Sequence, residues 1–188
     1  MTTIIFNKPY GVLSQFTDEG TGHPTLKDYI AVPDVYAAGR LDRDSEGLLL
    51  LTNDGALVRL LTQPGHISKT YWVLVEGEPT PGSLMRLRNG VALKGYRTRP
   101  ALVRTIPEPI LPPRAKPLTP HGSVTWLEIG LTEGRKRQIR HMTAAVGLFT
   151  LRLVRAAIGT VTLEGLPVGK WRELSGAELQ YLKGPPRV

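Results

Sequence analysis

Residues 39–55 read GRLDRDSEGLLLLTNDG, with three acids and two arginines set immediately before four consecutive leucines. The run Gly47–Thr52 is too short to cross a membrane and is apolar enough to be a buried strand. The tripeptide Asn53-Asp54-Gly55 then turns the chain into an amphipathic segment, ALVRLLTQ, that stops at Pro64-Gly65. A loop carrying Asp42, Asp44 and Glu46 is therefore held rigidly by the start of a buried strand. A surface loop with weak Arg–Asp pairs, worth about 0–1 kcal/mol each, is the plain reading of those charges.

Outward from this stretch the chain alternates strands with short helices. TTIIFNK reads as a strand, Thr25 caps a short helix LKDYI, and DVYAAGRL is extended up to the charged loop. SKTYWVLVEG is a β-rich run with Tyr71, Val73 and Val75 on one face and Thr70, Trp72 and Leu74 on the other. SLMRLRN is a helix ending at Gly90, and ALVRTI is a strand. Residues 107–120 carry six prolines and form a loop or flexible excursion outside the core. SVTWLEIGLT is a long strand, Glu133-Gly134 turns the chain, and RQIRHMTAAVG is a helix ended by Gly147. TLRLVRA and TVTLEG are extended, and Ser175 with Glu178 has capping-box spacing for a last helix. The fold class is α+β, with a largely antiparallel mixed sheet flanked by helices and loops.

At 188 residues, 41% hydrophobic and 21% charged, the chain suits a single soluble domain, 1–188, with room for two lobes. No apolar run spans a membrane and no secretory leader is visible, so a cytoplasmic protein is expected. Without cysteines, and with His23, His66, His121 and His141 scattered, no metal site is expected. Residues 1–80 hold 6 Lys and Arg against 10 Asp and Glu, a net of −4, whereas the remainder holds 18 against 6, a net of +12. A polyanion is the natural partner for such a half, and nucleic acid is the reading favoured over a merely solvated surface.

The familiar signatures are missing. Asp42, Asp44, Glu46 and Gly47 imitate the start of a calcium loop, but the position that needs a bidentate Glu is Asn53. No phosphate-binding loop, dinucleotide fingerprint, nucleophile elbow or HExxH occurs.

Gly39-Arg40-Leu41-Asp42 followed by Gly47 to Gly55, then Lys69-Thr70-Tyr71, then Glu133-Gly134-Arg135 through Gln138-Ile139-Arg140 together resemble the pseudouridine synthases of the RsuA branch. The opening FNKPYGVLSQFTDE and the later TLRLVRAAIG extend the resemblance from about Ile4 to Trp171, and it points to the group acting on ribosomal RNA of the large subunit, 23S rRNA. The resemblance implies the pseudouridine synthase catalytic fold. It also implies an isomerase that detaches uracil from its ribose, rotates it and rejoins it through C5.

By the same resemblance Asp42 is the indispensable carboxylate, acting either as a nucleophile on the ribose or as the base that removes a ribose proton. Arg140 is its positive partner, which an ionised carboxylate in a dry pocket requires. Tyr71, a packing residue by strand position alone, stacks on the target base and is a candidate for removing the C5 proton. Lys69 contacts phosphate or supports the Asp. Arg40 fills the space left by the extruded base, since a stacked uridine must be flipped out at a cost of a few kcal/mol. Val154 and Arg155 match a late motif lining the pocket.

Arg135, Lys136 and Arg137 form a basic cluster near a helix start, either solvated or touching phosphate. His141 has no assigned role, and Asp44, Glu46 and Asp54 are given to loop and turn structure. Many relatives in the branch carry an N-terminal S4-like RNA-binding domain, whereas this sequence opens on the first catalytic strand. RNA recognition is therefore expected from the basic half and from the proline-rich loop with Arg114 and Lys116. The expectation is a monomer with no cofactor. A noncatalytic RNA-binding protein and a metal-dependent phosphotransferase using Asp42 and Asp44 are the rival classes.

Overall fold

Four successive leucines need apolar neighbours on both sides of their strand, and the sheet supplies them. In the computed structural model, which describes residues 1–185, strand β3 (Glu46–Thr52) is buried at every position. It lies between β1 (Thr3–Lys8) and β9 (Phe149–Ile158). Because strand side chains alternate, Leu49 and Leu51 enter one core with Phe6, Val73 and Leu127, while Leu48 and Leu50 enter a second core with Ile5, Leu57 and Leu182. Truncating any of the four to alanine costs about 2–5 kcal/mol.

The other strands are β2 (Tyr36–Ala37), β4 (Lys69–Glu76), β5 (Ala92–Leu93), β6 (Tyr96–Arg97), β7 (Leu102–Ile106), β8 (Val124–Leu131), β10 (Val161–Thr162) and β11 (Trp171–Glu173). The main sheet runs β11-β1-β3-β9-β4-β8-β7, with β2 on β3 and β10 on β9. Among the described residues only β3 and β9 pair in parallel, through Glu46 opposite Val154 and Gly47 opposite Arg155. The α+β class with a mostly antiparallel sheet is as expected. Helices cover both faces: α1 (Gly55–Thr62) and α4 (Gly176–Lys183) on the Leu48 side, α2 (Pro81–Arg88) and α3 (Gln138–Ala144) on the Leu49 side.

Local chemistry sets the helix starts. Asp54 accepts hydrogen bonds from the amides of Ala56 and Leu57 and pairs with Lys183 at 2.7 Å, so one carboxylate caps α1 and ties it to α4. The expected capping box of Ser175 with Glu178 forms on α4, and the expected cap Thr25 forms one with Asp28 on a single 3-10 turn in place of a helix LKDYI. Helix α3 is shorter than its periodicity suggests and starts from Arg137 in the left-handed region, φ 53°, without a side-chain cap.

Two elements differ from expectation. The segment DVYAAGRL pairs as a strand only at Tyr36–Ala37, and the β5–β6 hairpin lies in a stretch with no readable alternation. The proline-rich segment is irregular, as expected, yet it is fastened. Pro112 accepts from Arg152 at 2.9 Å, and Arg114 donates to the Leu151 carbonyl at 3.2 Å with its guanidinium 4.5 Å from the centre of the Tyr10 ring.

Candidate active site

The parallel contact between β3 and β9 determines where the charged loop lies. Gly47 has φ +101°, and a Cβ there would strike the carbonyl oxygen of Arg155 and lie 2.9 Å from its amide nitrogen, so this close approach requires glycine. The loop 39–45 therefore emerges beside the middle of β9, one strand away from the start of β4. Tyr71 on β4 sits opposite Arg155, next to a register shift between Thr70 and Tyr71. A cavity of about 520 Å³ opens there.

The loop is pinned from beneath by residues the motif reading passed over. Lys8 is buried and its ammonium donates to the carbonyls of Val12 at 2.6 Å, Pro9 at 2.9 Å and Arg43 at 3.3 Å. Burial outweighs the attraction of Glu46, Asp44 and Asp42 and pushes this ammonium down to about 7. Gly11 adds an amide to the Arg43 carbonyl at 2.8 Å. Ser14 both donates to the Leu41 carbonyl at 2.7 Å and accepts from its amide at 3.1 Å. Both neighbours of Asp42 are thus fixed in the backbone. A buried Lys in the strand and a Ser in the following turn were the signals available in the sequence.

The three carboxylates of the loop have different surroundings. Glu46 forms a two-pronged pair with Arg152, at 2.9 and 2.8 Å, with both side chains only 8% exposed. Asp44 accepts both prongs of Arg137, at 2.9 and 3.0 Å, and lies 3.4 Å from Arg140. Burial alone would raise the Asp44 carboxyl, but the hydrogen bonds from Arg137 and the charges of Arg140 and Arg137 hold it below the usual range. Asp42 lines the cavity, its side chain is 31% exposed, and among the described residues it has one ion-pair contact, 3.7 Å to the same Arg137.

This corrects two expectations. Arg140 is not the ion-pair partner of Asp42; its Nη2 donates to the Asp44 carbonyl at 3.0 Å and its Nη1 to the Thr150 carbonyl at 3.4 Å, while its buried Nε has no partner. The left-handed Arg137 rotates the first residue of the turn toward the loop and puts its guanidinium between Asp42 and Asp44. Asp44 and Glu46, in turn, are more than turn formers, since they fix the arginines on either side.

The cavity gathers Arg40, Asp42, Lys69, Tyr71, Arg135, Lys136, Arg137 and Arg155 from the expected set. Arg40, Arg135 and Lys136 are exposed at its rim. Arg155 is only 2% exposed, with Nε on the Leu48 carbonyl at 2.7 Å and Nη2 on the Gly39 carbonyl at 3.0 Å, so it staples the loop and the sheet together instead of presenting its fork to a ligand. Tyr71 is both a core member and a wall of the cavity, which leaves neither of its readings excluded. Arg114 and Lys116 lie outside the cavity, and Arg114 is held by Tyr10 and by backbone carbonyls.

The missed β5–β6 hairpin abuts the rim. Arg135 lies 4.3 Å over the Tyr96 ring, and Glu133 accepts from the Arg99 amide at 2.7 Å and from Gln138 at 2.8 Å. Lys94, Arg97 and Arg99 are exposed there, and residues 88–99 contain no acid. The result is a basic shelf beside a cavity whose wall carries an incompletely paired carboxylate.

Comparison with known proteins gives the arrangement a context. A family model described as RNA pseudouridylate synthase matches residues 2–145. The chain is 57% identical over 175 residues to a ribosomal large subunit pseudouridine synthase E of Vibrio vulnificus, covering 92% of this chain and 74% of the relative. It is 55% identical over 174 residues to that of Xanthomonas campestris, covering 90% and 93%. Among solved structures, one described as a pseudouridylate synthase superposes with a TM-score of 0.80 at 28% identity, covering 96% of this chain and 73% of that one.

Proposed function

The chain belongs to the RNA pseudouridylate synthase family, and we propose that it isomerises a uridine of large-subunit 23S ribosomal RNA to pseudouridine with Asp42 as the acting carboxylate. The enzyme class follows from the family; the choice of large-subunit RNA follows the relatives that carry that name. The observation that carries the role of Asp42 is its incomplete pairing. It is the one carboxylate of the loop whose oxygens are not engaged by a two-pronged arginine, and it lines the cavity beside Tyr71.

The uridine enters after extrusion from its stack, with Arg40 at the rim occupying the space it leaves. Tyr71 packs against the base and is placed for proton transfer at C5. Asp42 either attacks the ribose or removes a ribose proton, and in both routes the N1–C1′ bond breaks while the base stays in the cavity. Arg137 faces Asp42 at 3.7 Å, and Asp44 keeps Arg137 from closing onto it. Arg140 acts one step further back by fixing Asp44 through its carbonyl and carboxylate.

Phosphate contacts come from the rim, with Arg135 and Lys136 joined by Lys94 and Arg97 on the hairpin. Lys116 is an outer contact, and Arg114 organises its loop. The isomerisation has no redox step, so neither organic cofactor nor metal is assigned to it. We read the chain as one catalytic domain that acts as a monomer in the cytoplasm; among the described residues no helix is long and apolar enough to cross a membrane. Incubating the protein with 23S and 16S transcripts and mapping pseudouridine tests this reading. One new pseudouridine in 23S RNA is expected, and modification of 16S RNA alone contradicts it.

A further inference from the structure

The two buried lysines of the structure differ in one respect. Lys8 spends its donors on three carbonyls. Lys69, at the first position of β4, is only 6% exposed and lines the cavity, yet among the described residues its ammonium has neither a hydrogen bond nor an ion pair. Asp44 and Glu46 are engaged by Arg137 and Arg152, Asp42 has no ion pair with Lys69, and the charged group that acts on Lys69 is another cation, Arg155. An ammonium largely removed from solvent is costly, and the described residues offer it no anion or acceptor. Its donors face the cavity and are available to a ligand there.

The position narrows the choice. Lys69 lies two residues before Tyr71 on the same face of β4, so it stands beside the surface that receives the base, at the floor of the cavity. Phosphates remain at the exposed rim with Arg40, Arg135 and Lys136. At the floor the acceptors are the carbonyl oxygens of uracil. When the N1–C1′ bond breaks, its electron pair leaves with the base and the negative charge spreads onto those oxygens. This holds whether Asp42 forms a bond to the ribose carbon or takes a ribose proton. The charge disappears as C5 bonds to C1′, and the C5 proton then departs while N1 takes one up.

Resting on the pseudouridine synthase reading, we propose that Lys69 is a catalytic oxyanion donor, its ammonium hydrogen-bonding a uracil carbonyl oxygen and stabilising the detached uracil anion. Arg155, stapled to backbone carbonyls, adds positive potential to the floor without moving. Burial beside Arg155 pushes the Lys69 ammonium down to about 8, so it remains protonated at neutral pH and is ready to share its proton with an anion. A preorganised donor in a water-poor site acts where charge develops, and loss of one such donor slows reactions about 100- to 1,000-fold.

Lys69→Met keeps the length of the side chain and removes the charge. The variant is expected to melt at a higher temperature than the wild type and to bind RNA equally well. Its single-turnover cleavage of the N-glycosidic bond at saturating RNA is expected to fall by that 100- to 1,000-fold factor. A second substrate separates catalysis from shape: fluorine at C5 stabilises the departing uracil anion, so the loss on 5-fluorouridine RNA is expected to be at least about tenfold smaller. An unchanged rate, an equal loss on both RNAs, or a lowered melting temperature overturns the proposal. A wild type that makes no pseudouridine in any RNA offered removes the underlying reading instead.

Discussion

Within five residues the chain carries a carboxylate that is finished and one that is not. Glu46 and Arg152 are buried together, joined by two short hydrogen bonds, and Arg152 also holds the proline-rich segment through Pro112. Asp42 shares one arginine at 3.7 Å, and that arginine gives its short bonds to Asp44. The same residue types therefore serve opposite ends. Full pairing removes a charge from chemistry and makes it a fastener; partial pairing beside a cavity leaves a carboxylate with its lone pairs available. Asp44 lies between the two, and its task is to hold the arginine at the right distance.

The strongest way to break this comparison is to remove one half of the finished pair. Arg152→Met strands the buried Glu46 carboxylate and is expected to cost about 3–5 kcal/mol in urea unfolding. Asp42→Asn is expected to stay within about 1 kcal/mol on the same measurement, because its pairing is exposed and long. Equal losses would mean that both carboxylates are structural.

A second test uses pH. Lys69 falls from its ordinary 10.5 to about 8 in the folded protein, so below pH 8 both states are protonated and the full penalty of burying the charge is present. Between about 8 and 10.5 the unfolded chain binds more protons than the folded one, and stability rises as the penalty is relieved. The advantage of Lys69→Met over the wild type, on the order of 3 kcal/mol near neutrality, is expected to fade across that window. A pH-independent difference would show that the ammonium is not buried bare.

Asp44→Asn sharpens the comparison from the other side. Losing the charge frees Arg137 to close onto Asp42, at a stability cost of about 1–2 kcal/mol and a chemical step slower by about 10- to 100-fold, with RNA affinity unchanged. Loss of affinity alone would place Asp44 in RNA contact.

The smallest effects belong to the surface. Neutralising Lys94 and Arg97 together is expected to lower the slope of log affinity against log salt by roughly 1.4–1.8, at unchanged single-turnover rate. Arg114→Ala is expected to change that slope less, since its guanidinium is already committed to Tyr10 and the Leu151 carbonyl. The reverse order would return RNA recognition to the proline-rich segment.

The fold was legible wherever periodicity is local. The four leucines, the Asn53-Asp54-Gly55 turn, the alternation through Tyr71, Val73 and Val75, and the Ser175–Glu178 spacing each specify an element within a few residues of themselves. The β5–β6 hairpin was not, because two-residue strands carry no pattern and are held by contacts such as Arg135 on Tyr96. The cavity's membership was largely readable from the motifs, but its pairing was not. Arg137 and Arg140 are three residues apart at a helix start, and which one reaches Asp42 depends on a left-handed backbone at Arg137 that no local residue preference announces. The unpartnered state of Lys69 is likewise a property of the assembled site, visible only once the ion pairs of the neighbouring acids are known.

The central claim is that the unfinished carboxylate performs the chemistry, and release of tritium from C5-labelled uridine in 23S RNA tests it most directly. Asp42→Asn protein, shown by unfolding and by RNA binding to be intact, is expected to release no tritium above background while the wild type releases it in step with pseudouridine formation. Near-normal release by that intact variant would contradict the account.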